Sequence, residues 1–414
     1  MRVLYLCHRI PWPPHKGDKI RAFHQLRAMM AQHEVDVFTL ADDPADLVHQ
    51  PKLREFCHDL TVARLDRRAS MMRALPYLFT PLPLTLPFFY SAGLQQQVSK
   101  ALQQRSYDRI FVYCSAMAQY VEDVEGIPVV MDFVDVDSDK WLQYSTYTSW
   151  PRSMVYKREC LALRHYERRI AERAQCIIVT TEREARLARE LSDRITVQVV
   201  PNGVDSTHFR PFDAPPPAVA PAIGFVGDMS YFPNQQAVVN FTRDVLPLVR
   251  RRIPEARFLI VGRKPSPEVQ KLSEIVGVEV TGFVEDVRDW LGKMHVSVAP
   301  FAIAAGIQNK ILEAMACGIP VVSTTRAAQG LSGGISEAVN IADQPQEMAD
   351  KIIELLENPS LARRRGLEGC RRVTAEHNWD ECLDRFLEIL QDPKGGISPR
   401  TIVSSPVSLP GNVS

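Results

Sequence analysis

The chain has no CxxC pair, although it holds eight cysteines, at 7, 57, 114, 160, 176, 317, 370 and 382. That spacing fits neither a zinc site nor a disulfide framework. Several of the cysteines fall in apolar runs, so they read as reduced core residues of a cytoplasmic protein. No run of about 20 apolar residues occurs, which excludes a simple spanning helix. The opening MRVLYLC reads directly as a strand, so no signal peptide is expected. Charge of one sign is also missing: 49 basic and 49 acidic side chains give a net charge of zero. Residues 1–200 hold 27 basic and 24 acidic groups, the remainder 22 and 25, which argues against a nucleic-acid partner. No GxGxxG follows the first strand, which disfavours nicotinamide chemistry.

What is present is enough for two domains with full cores: 414 residues, 45% hydrophobic and 24% charged. Short apolar runs at 2–7, 35–40, 109–114, 129–132, 176–181 and 196–200 read as strands. Between them, 20–32, 93–104, 152–173 and 182–191 carry helical patterns. Such alternation predicts an α/β fold with a parallel sheet covered on both faces. Residues 202–221 are proline-dense and contain an NG turn, so they read as a linker. The alternation restarts with strands at 222–226, 257–261, 278–281, 296–299 and 319–323 and helices at 235–252 and 348–357. The expected organisation is a first domain over 1–201, a second over 222–378, a helix at 379–391, and a disordered Pro/Gly/Ser-rich tail from 392 to 414. Residues 71–90, MMRALPYLFTPLPLTLPFFY, are too proline-broken to span a membrane. They read as an extended loop packed on the domain, or as a surface that touches membrane or a lipid-linked acceptor.

The most informative stretch is GIQNKILEAMACGIPVVST, residues 306–324. Gly306 permits close backbone approach or an unusual φ. A helix then places Lys310 and Glu313 on one face, and Gly318 and Pro320 end it before a buried strand. Open α/β sheets bind phosphorylated ligands where a loop leaves a strand and enters a helix. A lysine neutralises phosphate there, and a glutamate accepts hydrogen bonds from ribose hydroxyls. After the first strand, CHRIPWPPHKGDKIRAF offers His8, Lys16, Lys19 and Arg21 to phosphates and Gly17 for backbone approach. DFVDVDSDKW places aspartates at 132, 135, 137 and 139. It lacks the glycine and terminal glutamate of a calcium loop, and helix capping by Asp137 or Ser138 accounts for part of it. Asp132 and Asp135 remain candidates for acceptor or donor contact, or for a general base. GFVGDMSYF, IVGRKP and VTGFVEDV put Gly227, Arg263, Lys264, Gly282 and Phe283 just past successive strands of the second half. Phe301 reads equally as core or as a donor neighbour.

The stretch 306–324 resembles the nucleotide-sugar site of retaining glycosyltransferases with two Rossmann-like domains, the GT-B architecture of glycosyltransferase family four. In that family a glutamate, seven residues and a second glutamate lie here. Glu313 matches the second, which holds the nucleotide ribose. The first, which contacts donor-sugar hydroxyls, falls at Ala305. Branches of the family that carry a glycine-rich turn, a lysine and this glutamate look like this chain. The resemblance implies two doubly wound Rossmann-like domains facing a cleft, and transfer from a nucleotide-sugar donor to a saccharide or lipid-linked acceptor. It implies no metal and no cofactor beyond the nucleotide diphosphate sugar as substrate. Gly306, Ile307, Gln308, Asn309, Lys310 and Glu313 would meet the donor, with Gly227, Arg263, Lys264, Gly282 and Phe283 around it. Lys310 and Arg263 would stabilise the leaving diphosphate. The family's arginine and lysine after the first strand of this domain are replaced near Asp228 and Asn234. His8, Lys16, Gly17, Lys19 and Arg21 would meet the acceptor. PPHKGDKIRAFHQLRAM, DFVDVDSDKW and GIQNKILEAMA are most similar to the sugar transferases associated with PEP-CTERM/exosortase exopolysaccharide systems of bacteria. The implied location is cytoplasmic, with peripheral contact at the inner face of the plasma membrane. A nucleotide-sugar epimerase of the same architecture stays open, as does a non-catalytic sugar-nucleotide-binding scaffold, because of Ala305.

Overall fold

The computed structural model describes residues 1–14, 17–213, 216 and 220–393. Two all-parallel sheets carry the fold. The first is built from β1 (Arg2–Cys7), β2 (Glu34–Ala41), β3 (Asp59–Arg64), β4 (Arg109–Tyr113), β5 (Val129–Val134), β6 (Cys176–Val179) and β7 (Val197–Val199). The second uses β8 (Ala222–Val226), β9 (Arg257–Val261), β10 (Val278–Gly282), β11 (Val296–Ala299), β12 (Val321–Ser323) and β13 (Asn340–Ile341). Strand order is β3-β2-β1-β4-β5-β6-β7 in one and β10-β9-β8-β11-β12-β13 in the other. Both orders reverse at the first strand of their sheet. A crevice therefore opens past the carboxyl ends of β1 and β8, where doubly wound sheets bind ligands. The central strands are apolar and buried on both faces, as parallel strands between helices must be, while β3, β7, β10 and β13 at the edges are largely half-buried.

Two strands and several helices, the longest of them Pro359–Glu376, were not expected. DLTVAR of β3 lies at a sheet edge with charged residues at both ends, and β13 has only two residues. The helix Pro359–Glu376 has little apolar periodicity because it buries backbone instead. A Cβ on Gly366 would lie 1.9 Å from the Gly318 carbonyl oxygen, and one on Gly369 would lie 3.0 Å from Met315 Cε. These glycines seat it on the helix Asn309–Ala316. The helix expected over 235–252 is interrupted by a π turn, Phe241–Val245. Pro247 follows that turn and removes a backbone donor. The 71–90 stretch is not an extended loop. It continues the helix Arg67–Ala74 into a 3₁₀ turn, Leu75–Phe79, and a short turn of helix, Thr85–Phe88. The tail expected to be disordered lies outside the described residues from 394 onward.

The chain crosses between the sheets twice, side by side. Val204 N–H donates to the His377 carbonyl (2.8 Å), and the Asn202 carbonyl lies 2.5 Å from His377 Nδ1. A Cβ on Gly203 would stand 2.6 Å from the Trp379 nitrogen, so the two crossings touch through backbone. The helix Trp379–Gln391 then packs on the first sheet. Its Phe386 is fully buried, edge-on to Phe111 of β4 at 5.2 Å. Phe386→Ala should cost about 3–5 kcal/mol. Urea unfolding of the full chain checks this. A loss below about 1 kcal/mol would mean that this helix is not part of the first domain's core.

Candidate active site

On the second sheet, the loops after β8 and β9 meet backbone to backbone. Gly227 N–H donates to the Val261 carbonyl at 2.9 Å, and a Cβ on Gly262 would lie 1.7 Å from the Gly227 carbonyl oxygen. Asn234, on the helix Phe232–Asn240, donates to the Asp228 carbonyl (2.9 Å) and accepts from Lys310 Nζ (3.2 Å). Lys310 Nζ also reaches Gln308 Oε1 (3.3 Å) and stands 4.5 Å from the Phe301 ring centroid. No carboxylate pairs with it among the described residues. Lys310 lies in the first turn of the helix Asn309–Ala316, whose Gln308 cap gives no side-chain hydrogen bond. Free backbone donors and the helix dipole therefore reinforce its positive charge. Burial pushes the Lys310 ammonium down to about 8, with Glu313 opposing. Burial pushes Glu313 up to about 7, against the pull of Lys310.

The other expected cations on this side are engaged. Arg263 Nε pairs with Asp228 (3.0 Å), and Lys264 reaches across the cleft to Asp43 (2.9 Å). Gly282 has a positive φ of 69°, and Phe283 beyond it is 71% exposed, a free aromatic face at the rim. Gln308 Nε2 closes the glycine turn on the Ala305 carbonyl (3.0 Å). Ile307 packs against the second domain's core.

The opposite wall of the cleft is the end of β5. Val134 there has a φ of 65°, a conformation that costs a β-branched residue about 1–3 kcal/mol. The register shift beside it sends Asp132 and Asp135 different ways. Asp135 is half-buried, accepts from Thr180 Oγ1 (3.1 Å) and faces the turn at Gly306. A Cβ on Gly306, whose φ is 57°, would lie 2.1 Å from Asp135 Oδ1. Burial, then the nearby Glu184 carboxylate, raises the Asp135 carboxyl, with Lys140 opposing.

Asp132 is not a cleft residue. It is fully buried, pairs with Arg21 (2.8 Å), and accepts from Gln25 (2.5 Å) and Val134 N–H (2.8 Å). It can meet neither acceptor nor donor. Arg21 and Lys19 are withdrawn as acceptor contacts for the same reason. The helix begins at Gly17, not Ile20, and turns both side chains inward. Arg21 is 1% exposed, and Lys19 is paired with Asp46 at 2.7 Å. Lys16 lies outside the described residues. His8 does lie at the cleft end of β1. It stacks on Tyr113 at 5.9 Å, meets Phe89 edge-on at 5.7 Å, and sits 3.5 Å from Asp18. Burial would raise the Asp18 carboxyl, but His8 and Arg9 hold it well below the usual range.

Asn202 and Tyr144 were missed. Asn202 accepts from Arg21 (3.0 Å) and donates to Asn309 (3.0 Å), joining the first domain to the start of the helix Asn309–Ala316. Gly17 lies beside the same Asn309, 3.6 Å from a would-be Cβ. Tyr144 meets Phe232 at 5.9 Å across the cleft. In sequence, Asn202 reads only as part of a PNG turn.

Residues 19–203 match the glycosyl transferase 4-like domain, and residues 220–358 match the glycosyl transferases group 1 family. The two matches between them cover both sheets except β1, and the chain belongs to these glycosyltransferase families. It is 27% identical over 254 residues to a GDP-mannose-dependent alpha-(1-6)-phosphatidylinositol monomannoside mannosyltransferase of Mycobacterium tuberculosis. That match covers 54% of this chain and 63% of the relative. It is 32% identical over 145 residues to the Vi polysaccharide biosynthesis protein VipC/TviE of Salmonella typhi, covering 32% of this chain and 23% of that one. The fold is that of sucrose-phosphate synthase from Thermosynechococcus elongatus, with a TM-score of 0.71, 20% identity, and coverage of 94% and 98% of the two chains. Anabaena HepE solved with UDP and glucose gives 0.65 at 14% identity, over 94% and 99%. The architecture is GT-B: two Rossmann-like domains facing a cleft.

Removing Arg21 strands a buried carboxylate, so Arg21→Met should lower stability by about 3–5 kcal/mol. Denaturant unfolding checks it. Wild-type stability together with a raised KM for the acceptor would return Arg21 to the acceptor pocket.

Proposed function

We propose that the protein transfers a sugar, with retention, from a nucleoside diphosphate sugar to a saccharide or lipid-linked acceptor. We place that step in bacterial exopolysaccharide assembly at the cytoplasmic membrane face. The observation that carries the reading is Lys310. Its ammonium is half-buried, held by two amide oxygens over an aromatic ring, and lacks a carboxylate partner among the described residues. Such a group gains most from an incoming anion. As the bond from sugar to phosphate breaks, charge grows on the diphosphate, and Lys310 with the helix N-terminus stabilises it where it develops. Glu313 takes the ribose hydroxyls. Asp135 supplies a carboxyl over Gly306, on the side where Ala305 has none, and meets the donor sugar. Arg263 joins the diphosphate by leaving Asp228. His8, whose buried Nδ1 has no hydrogen-bond partner among the described residues, faces the acceptor. The donor and acceptor named for the mycobacterial relative, and the UDP and glucose held by HepE, support the substrate class.

Affinity for the diphosphate should depend on pH at two points. Lys310 loses its proton as pH rises through about 8, and anion affinity falls with it. Glu313 becomes a hydroxyl-accepting carboxylate as pH rises through about 7, and affinity grows. Binding should therefore peak between about 7 and 8. Calorimetric titration with UDP, GDP, ADP and CMP, and with their sugar conjugates, checks the profile. Lys310→Met should lose at least about tenfold in affinity together with the alkaline limb, and Glu313→Gln should lose the acidic limb. A folded protein that binds none of these nucleotides would overturn the reading.

A further inference from the structure

Many of the large apolar side chains left exposed fall in two stretches joined by Arg158, while Val48, Val276 and Phe283 are exposed elsewhere. Met71, Met72, Phe79, Trp150, Met154 and Leu161 are 62%, 72%, 94%, 76%, 61% and 69% exposed. They come from two stretches far apart in sequence, and the only acid within them is the buried Glu159: no Asp or Glu occurs from residue 67 to 107 or from 140 to 158. Arg158 fastens them together. It lies on the helix Arg152–Arg173 and donates to the carbonyls of Tyr77 (2.6 Å), Leu82 (2.5 Å) and Thr80. The next residue, Glu159, accepts from Leu84 N–H at 2.7 Å and Thr85 N–H at 2.9 Å. Met154 and Leu161 flank Arg158 at four and three residues, so they share its helix face, and Arg158 binds the carbonyls of Tyr77 and Thr80, the residues on either side of the 78–79 pair. Glu159 and Glu167 are turned into the interior, which leaves Arg152, Lys157, His165, Arg168 and Arg169 as the exposed polar groups on this helix before Glu172. Exposed Arg67 and Arg68 begin the other stretch.

An apolar surface with a mainly basic border, in which Asp66 caps the helix beside Arg67 and Arg68, matches the interface of an anionic bilayer, where apolar groups enter the acyl boundary and cations meet lipid phosphates. We propose that this face docks on an anionic phospholipid membrane through Met72, Phe79 and Met154, with Arg67, Arg68 and Lys157 on the headgroups. The segment that forms it ends at Phe89, whose ring lies against His8 at the cleft. Docking would therefore bring the acceptor side of the cleft to the lipid surface. This inference deepens the lipid-linked acceptor reading but stands on the surface alone, and its test needs no catalysis.

Flotation of the full chain with vesicles of phosphatidylcholine plus phosphatidylglycerol, and with phosphatidylcholine alone, tests it. The protein should float with the anionic vesicles and not with the neutral ones, and added salt should release it. Phe79→Ser with Met154→Ser should abolish flotation. Arg67→Gln and Arg68→Gln should each lower partitioning about fivefold. All these variants should keep the parent's nucleotide affinity and unfolding curve. No flotation with either vesicle, or variants that float like the parent, would overturn the proposal. So would concentration-dependent dimers, removed by the same substitutions, in a protein that ignores vesicles: the face would then belong to a second copy. Vesicle binding in a protein that binds no nucleotide would leave the docking surface standing while the transferase reading fell.

Discussion

The cleft rests on a buried ion pair. Arg21 and Asp132 are 1% and 0% exposed, and taking both charges out of water costs several kcal/mol per ion before any attraction is counted. The pair is kept because every neighbour contributes. Gln25 and the Val134 amide donate to the carboxylate, and the Val200 carbonyl and Asn202 accept from the guanidinium. Those partners come from the helix after β1, the end of β5 and the chain leaving β7. The pair therefore fixes three pieces of the first domain where they meet the second. Through Asn202 and Asn309 it also sets the start of the helix Asn309–Ala316.

Lys310 follows the opposite logic. Arg21 has a carboxylate, a backbone carbonyl and an amide oxygen as acceptors, while Lys310 has two neutral amide oxygens and two aromatic rings. Burial works against its charge and against the charge of Glu313 one turn on, so both sit near neutrality in their titration. A scaffold made rigid by satisfied charges thus carries a site whose charges await a ligand. Asp43–Lys264, Asn202–Asn309 and Tyr144–Phe232 span the two domains and hold the walls close enough for Asp135 to lie on Gly306.

Much of this was legible in the sequence. Strand alternation revealed the parallel sheets, because strands buried on both faces are continuously apolar. The spacing of Lys310 and Glu313 placed them on one helix face, and the glycine before them marked a turn that a side chain would block. The acceptor side was misread for a physical reason. Lys19 and Arg21 form a cluster of charge beside a strand end, which looks like a phosphate site. Their true partners, Asp46 and Asp132, lie far along the chain, and where the helix starts decides which way they point. Asp132 and Asp135 are separated in role by the left-handed Val134, a conformation that no β-branched residue announces. The helix Pro359–Glu376 was invisible because it packs through Gly366 and Gly369, leaving no apolar stripe to count.

The central claim is that Lys310 is a lysine held short of its charge partner until a nucleoside diphosphate arrives. Its side-chain pKa, followed by NMR in lysine-labelled protein and assigned with Lys310→Arg, tests that claim most directly. The expected value is about 8 in the free protein, rising towards the ordinary lysine range when the nucleotide is bound. An ordinary lysine value in the free protein, unmoved by saturating nucleotide, would contradict it.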